Sequence, residues 1–228
     1  MRAPAIKHTL VASFAVALMV SVGAAPARAS VLASFPLNAN YTATNLAANV
    51  ASATIDTSTL SDAYIGNDGF GNVAEMYPNN SGTSAALALA TDSYFTLNIS
   101  SNGGPLNLGV LNFSVAKGGS SDPRGYAIYD SLDGFASALF ATQLPTGVNT
   151  APAPESLSLG TDFQSATDVS FRFYVYTPQP QYNSVDFSNI SLATSTGNSV
   201  PEPGALSLMG VGIACLGLLM MRRGTRRA

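Results

Sequence analysis

The sequence predicts a mainly β protein: an antiparallel β-sandwich of jelly-roll-like type, flanked by an N-terminal signal peptide and a single C-terminal transmembrane helix. Three observations carry this. The segment "DVSFRFYVYT" alternates Val169, Phe171, Phe173 and Val175 with Ser170, Arg172, Tyr174 and Tyr176, the period-two pattern of a strand with one buried face. Several other short apolar runs are separated by Gly, Pro, Asn, Asp and Ser clusters, which favours a sandwich over helical layers. The long apolar runs, by contrast, stand at the two ends of the 228-residue chain.

At the N-terminus, Arg2 and Lys7 precede an apolar stretch that ends before Ala27, Arg28 and Ala29, the charged, apolar, small-residue order of a secretory signal. Cleavage after Ala29 makes residues 1–29 the signal peptide and Ser30 the first mature residue. An uncleaved anchor is the alternative, but the run is short for a span and would leave the small residues unexplained.

In the exported part, residues 30–192, strands are expected at 94–100, 106–117, 125–130, 155–159, 168–177 and 185–192. The segment 83–92, "TSAALALATD", is open between helix and strand, because Ala and Leu favour a helix while the next residues favour a sheet. Residues 193–200, polar and without bulky side chains, read as a linker.

The tail then runs Val200-Pro201-Glu202-Pro203, an uncharged stretch over 205–221, and Arg222, Arg223, Arg226 and Arg227. Seventeen helical residues reach roughly 25 Å, close to the hydrocarbon thickness of a bilayer. Arginines flanking a span stay on the cytoplasmic side, which puts the preceding domain outside. A buried helix of a soluble domain is the alternative, and it would leave four arginines beside a core with no acidic partner nearby in sequence. The two prolines fix their own φ and disfavour helix in the residue before each, so the Pro-Glu-Pro segment stays extended next to the membrane.

These three parts together, over residues 201–228, closely resemble the PEP-CTERM sorting signal read by the membrane enzyme exosortase. The resemblance implies export by the Sec machinery, removal of the leader by signal peptidase, and a transient anchor in the inner membrane. It further implies cutting near Pro201, Glu202 and Pro203 and transfer to the cell surface or an exopolysaccharide matrix. A second stretch, "KGGSSDPRGYAIYDSLDGF", is similar to part of the β-sandwich in exported domains of other PEP-CTERM proteins.

The residue inventory limits what the exported domain can do. Its basic residues are Lys117, Arg124 and Arg172, while every one of the chain's 13 carboxylates except Glu202 lies in residues 30–200, so nucleic acid is not an expected partner. The single histidine, His8, lies in the leader and the single cysteine, Cys215, in the tail. Catalysis that needs an imidazole base, a thiol or a His/Cys zinc site therefore has no residues to use, and no disulfide framework is available. A carboxylate pair of the glycosidase kind remains, but nothing around Glu75 or Glu155 marks an acid or a nucleophile. No enzymatic activity is expected.

Two binding chemistries survive. Calcium takes oxygen ligands, and "GNDGFGN" offers Asn67, Asp68 and Asn72, ahead of Asp130 and Asp133 in "DSLDGF"; both segments are also ordinary turn formers. Sugars are bound by exposed rings beside hydrogen-bonding groups, and Arg172, Tyr174 and Tyr176 lead here, with Tyr126 and Tyr129 behind. The competing reading is that these rings cover the second face of their sheet. The chain is accordingly expected to be a structural protein of the cell surface or biofilm matrix, with a carbohydrate-binding module for exopolysaccharide as the alternative.

Overall fold

The computed structural model describes residues 29–195, apart from 68, 70, 80, 121 and 147–150. The expected leader up to Arg28, the expected sorting motif at Val200, Pro201, Glu202 and Pro203, the expected span, the four terminal arginines and Asp68 lie outside the described residues.

Ala29–Ser195 forms one compact unit of two antiparallel sheets. In chain order the strands are β1 (Val31–Phe35), β2 (Val50–Asp56), β3 (Asp62–Asn67), β4 (Asn72–Tyr77), β5 (Tyr94–Ser101), β6 (Leu108–Gly118), β7 (Gly125–Asp130), β8 (Ala138–Gln143), β9 (Ala153–Ser158), β10 (Asp168–Tyr176) and β11 (Ser184–Thr194). Two short helices interrupt them, α1 (Ala85–Ala90) and α2 (Asp162–Ser165). One sheet runs β3-β4-β11-β6-β9, and β1 pairs with β11 beyond the reach of β4; the other runs β2-β5-β10-β7-β8. From β4 onward successive strands change sheet, except that β7 and β8 pair as neighbours.

The sheets are joined by rings that alternate inward. Phe95 and Phe173 of the second sheet stack with centroids 4.5 Å apart, and Phe113 and Phe187 of the first meet Phe173 edge-on at 5.7 and 5.6 Å. All four are buried, with Leu97, Phe171, Leu111 and Leu192 continuing the same core above and below them. This is the period-two rule at work: Val169, Phe171, Phe173 and Val175 all point into the sandwich, as the sequence predicts.

All six expected strands form, with β9 beginning two residues early and β11 continuing through Thr194, into what reads as linker. The open segment 83–92 is settled as a helix. Ser84 caps it by accepting the Leu87 N–H, and the next six residues are all Ala or Leu before Thr91 ends it.

One end of the sandwich is closed by charge. Lys117 is buried and pairs with Asp122 at 3.1 Å. Arg124, wholly buried, donates to the carbonyls of Gly118 and Ser184, while the Ser184 hydroxyl donates to buried Asp186. Burial pushes the Arg124 guanidinium below its ordinary value, against the pull of Asp122 and Asp186. Gly125, at the start of β7, is needed for close approach, since a Cβ there would come within 2.2 Å of the Thr142 carbonyl oxygen.

Candidate functional site

The outer face of the second sheet follows from the same alternation. Opposite the buried residues of β10, the side chains of Asp168, Ser170, Arg172, Tyr174 and Tyr176 point outward, and register sets their neighbours. Tyr174 lies between Tyr94 and Ala127, Arg172 between Thr96 and Tyr129, and Ser170 beside Asn98. On the far side of β5, strand β2 contributes Asp56 next to Thr96, Thr54 next to Asn98, and Ser52 next to Ser100.

This face has three zones. At one end α1 lies over the sheet, and Ala88 packs on Tyr174 and Tyr176 with Ala85, Tyr94 and Tyr129 around them. Tyr174 is 2% exposed and Tyr176 5%, so neither ring offers a face to a sugar; the reading that rings cover the second face of the sheet holds for both. Burial raises both phenols above their ordinary value, and Tyr176 donates to the Thr142 carbonyl at 3.3 Å. Tyr126 is fully buried in the core, while Tyr129 is half-buried and meets Tyr174 edge-on at 5.2 Å.

In the middle zone Arg172 is half-buried between two rings, its guanidinium carbon 4.6 Å from the Tyr94 centroid and 3.8 Å from that of Phe135. Phe135 arrives from the loop between β7 and β8, and the carboxylates of "DSLDGF" shape that loop. Asp130 accepts the Leu132 N–H at 2.8 Å; Asp133 accepts from Ala136 N–H at 3.0 Å, Ser137 N–H at 2.9 Å and the Ser137 hydroxyl. That hydroxyl, then the backbone donors, holds the Asp133 carboxyl below the usual range. Gly134 and Phe135 take positive φ, 72° and 63°, and so turn the ring back over the sheet.

Beyond Arg172 the face is open and polar. The Ser170 hydroxyl donates to Asn98 Oδ1 at 2.7 Å, and the Ser52 and Ser100 hydroxyls share a bond of 2.7 Å. Thr54 is exposed and Thr96 partly so. Short hydroxyls and an amide in register, edged by Tyr94, Tyr129 and Phe135, form a surface that can hydrogen-bond a polyhydroxylated chain and stack on it.

The remaining candidates lie elsewhere. In the β3–β4 turn, Asn67 Oδ1 accepts the Gly69 N–H at 2.9 Å, and the Asn72 amide donates to Asn38 Oδ1 at 2.6 Å. Among the described residues no three Asp, Glu, His or Cys side chains gather as a metal-binding group. Glu75 points outward from β4, where it accepts from Tyr77 Oη at 2.8 Å, whereas Glu155 shares the inward side of β9 with Leu157. With β11 and β6 between their strands, and three residues of register between them along β6, the two glutamates are at least ~14 Å apart and on opposite faces, beyond the ~5–9.5 Å of a glycosidase pair.

Tyr94, Thr96, Asn98 and Phe135 are site residues that sequence reasoning missed. The polar positions of "YFTLNIS", alternating with Phe95, Leu97 and Ile99, carried the signal for the first three. Phe135 had none, because a loop of positive-φ residues decides where its ring lies.

No protein-family model and no curated protein matches the chain. Among solved structures it is similar to a mutant family 29 carbohydrate-binding module complexed with mannohexaose, at 12% identity and a TM-score of 0.36 over 74% of this chain and 94% of the other. A family 4 carbohydrate-binding module is similar at 12% identity and a TM-score of 0.34, over 62% of this chain and 86% of that one. A cleaved adhesin domain of Lys-gingipain from Porphyromonas gingivalis is similar at 14% identity and a TM-score of 0.33, over 54% and 74% of the two chains. At such scores the likeness assigns this chain neither a ligand nor an activity.

Proposed function

We propose that the chain is an exported, non-catalytic protein of the cell surface or matrix whose jelly-roll-like sandwich binds polysaccharide through the outer face of its second sheet. The observation that carries the binding is that face: Thr54, Thr96, Asn98 and Ser170 in register beside a guanidinium clamped by Tyr94 and Phe135. Export rests on the sequence alone, through the leader, the Pro201-Glu202-Pro203 motif, the uncharged span and the terminal arginines. Exosortase, signal peptidase and the Sec machinery are the partners this reading requires.

A purely structural role is the second reading, favoured by the pairs Ser170–Asn98 and Ser52–Ser100, whose polar groups already satisfy each other. Neither role requires calcium at Asn67, Asp68 and Asn72. Affinity electrophoresis of the full chain in a neutral detergent separates the two, using gels cast with exopolysaccharide from the source cell. Retardation that Thr96→Arg abolishes, and that Tyr64→Ala on the other sheet leaves intact, is the expected result. Migration unaffected by any polysaccharide would replace binding with the structural role.

A further inference from the structure

Arg172 is unusual within this domain for what surrounds it. The other two basic residues of the described region are buried at the charged end of the sandwich, Lys117 with Asp122 and Arg124 on the carbonyls of Gly118 and Ser184. In so acidic a domain the third would be expected to take a carboxylate too. Yet no carboxylate among the described residues lies within ion-pair distance of Arg172.

Rings hold it instead. Tyr94 and Phe135 cover the flat faces of the guanidinium, a kind of contact that uses the π-clouds rather than the in-plane N–H groups; the Tyr174 hydroxyl takes part of that donor set, and five N–H donors leave a fork for a further acceptor. The nearest acidic side chain in its own cross-strand row is Asp56, two strands away across Thr96, about 10 Å at ordinary strand spacing. Asp168 lies four residues back along β10, about 13 Å off. The result is a cation oriented by stacking, left without its counter-ion and set at the border of a hydroxyl-lined face. A planar N–H fork of this kind matches a carboxylate in two parallel bonds, which a point charge does not.

Resting on the polysaccharide-binding reading, we infer that the glycan is acidic, a polymer with uronic-acid carboxylates, and that Arg172 receives one such carboxylate while the hydroxyl rows take the neighbouring sugar. The acidic surface of the domain disfavours polyanions in general, so the clamped guanidinium acts as a local exception and selects for register of the charge along the chain.

The test is affinity electrophoresis of the full chain in neutral detergent against polygalacturonate, dextran and dextran sulfate. Polygalacturonate should retard the wild type, Arg172→Gln should weaken that at least tenfold, and Arg172→Lys should restore little, having the charge without the fork. Phe135→Ala, which keeps the guanidinium and removes one side of its clamp, should also weaken binding, and it decides the matter if Arg172→Gln lowers the melting temperature. Equal retardation by dextran sulfate, or full rescue by lysine, would overturn the carboxylate assignment. Retardation by dextran that Arg172→Gln leaves unchanged would overturn the acidic-glycan inference while preserving polysaccharide binding. Retardation by none of the three would overturn the inference, and absence of binding to the cell's own exopolysaccharide as well would remove the reading beneath it.

Discussion

Truncating Phe173 to Ala probes the seam on which the sandwich depends. The ring is wholly buried, stacks on Phe95 at 4.5 Å within its own sheet and meets Phe113 and Phe187 of the other sheet at 5.7 and 5.6 Å. Its loss removes three ring contacts, each worth about 0.5–1.5 kcal/mol beyond area burial, and leaves a cavity that strands pinned on both sides cannot collapse. Phe→Ala changes at such sites cost about 3–5 kcal/mol. For a domain of about 165 residues the entropy of unfolding near the midpoint is roughly 0.35 kcal/mol/K, so a cost of about 4 kcal/mol lowers Tm by about 11 °C. Thermal melts followed by circular dichroism read this directly. Tyr182→Ala, at a ring 74% exposed, serves as the control and should move Tm by less than about 2 °C. A Phe173→Ala shift as small as the control's would refute the packing of the two sheets across this ring.

Three further outcomes follow from other parts of the structure. Burial, with Asp62 and Glu75 beside it, pushes Tyr41 up to about 12, and burial with a hydrogen bond to Glu75 does the same for Tyr77. Because the folded values exceed the ordinary 10.0, the stability these phenols contribute is complete below pH 10 and is lost as pH rises from there through about 12. Denaturant melts should therefore weaken over that window, and Tyr41→Phe with Tyr77→Phe should flatten the slope; a slope unchanged by the pair would remove the assignment. Gly125→Ala should cost about 1–3 kcal/mol in urea unfolding, because its new methyl meets the Thr142 carbonyl and the Tyr176 hydroxyl, and wild-type stability would show that β7 and β8 lie farther apart. Millimolar calcium should leave Tm unmoved, since Asn67 Oδ1 and Asn38 Oδ1 already accept from Gly69 N–H and the Asn72 amide and so tie the turn without an ion. Stabilisation that chelator reverses and Asp68→Ala abolishes would instead assign the ion to this turn.

What was legible in the sequence tracks how much of each element's stability is local. Strand β10 could be read because four apolar residues alternate with four others, and β5, β6, β7, β9 and β11 because apolar residues recur between turn formers. Strands β1 to β4 and β8 escaped. "VASATID" and "ALFATQ" are rich in Ala, Ser and Thr and lack a clear apolar alternation, and their extended form depends on pairing with β5 and β7, which a local window does not weigh.

The site divides in the same way. Arg172 was visible as an outward residue of β10, and the outward direction of Tyr174 and Tyr176 was correct. Their burial was not visible, because it depends on α1 lying across the strand, a contact between residues some 85 positions apart in the chain. The clamp over Arg172 needed the β7–β8 loop, whose carboxylates look like metal ligands in sequence and in the structure bind their own backbone.

The central claim, an exported domain delivered to a polysaccharide layer, is tested most directly by the intact mass of the wild-type chain recovered from each fraction of its own cells. The account predicts a species that begins at Ser30, ends near Pro201 to Pro203 and is found with the extracellular polysaccharide. It also predicts that Glu202→Ala leaves a leaderless but otherwise full-length precursor in the membrane, because in this account Pro201-Glu202-Pro203 is the motif that the processing enzyme reads. A wild-type chain that keeps residues 204–228 and remains in the inner membrane would contradict it.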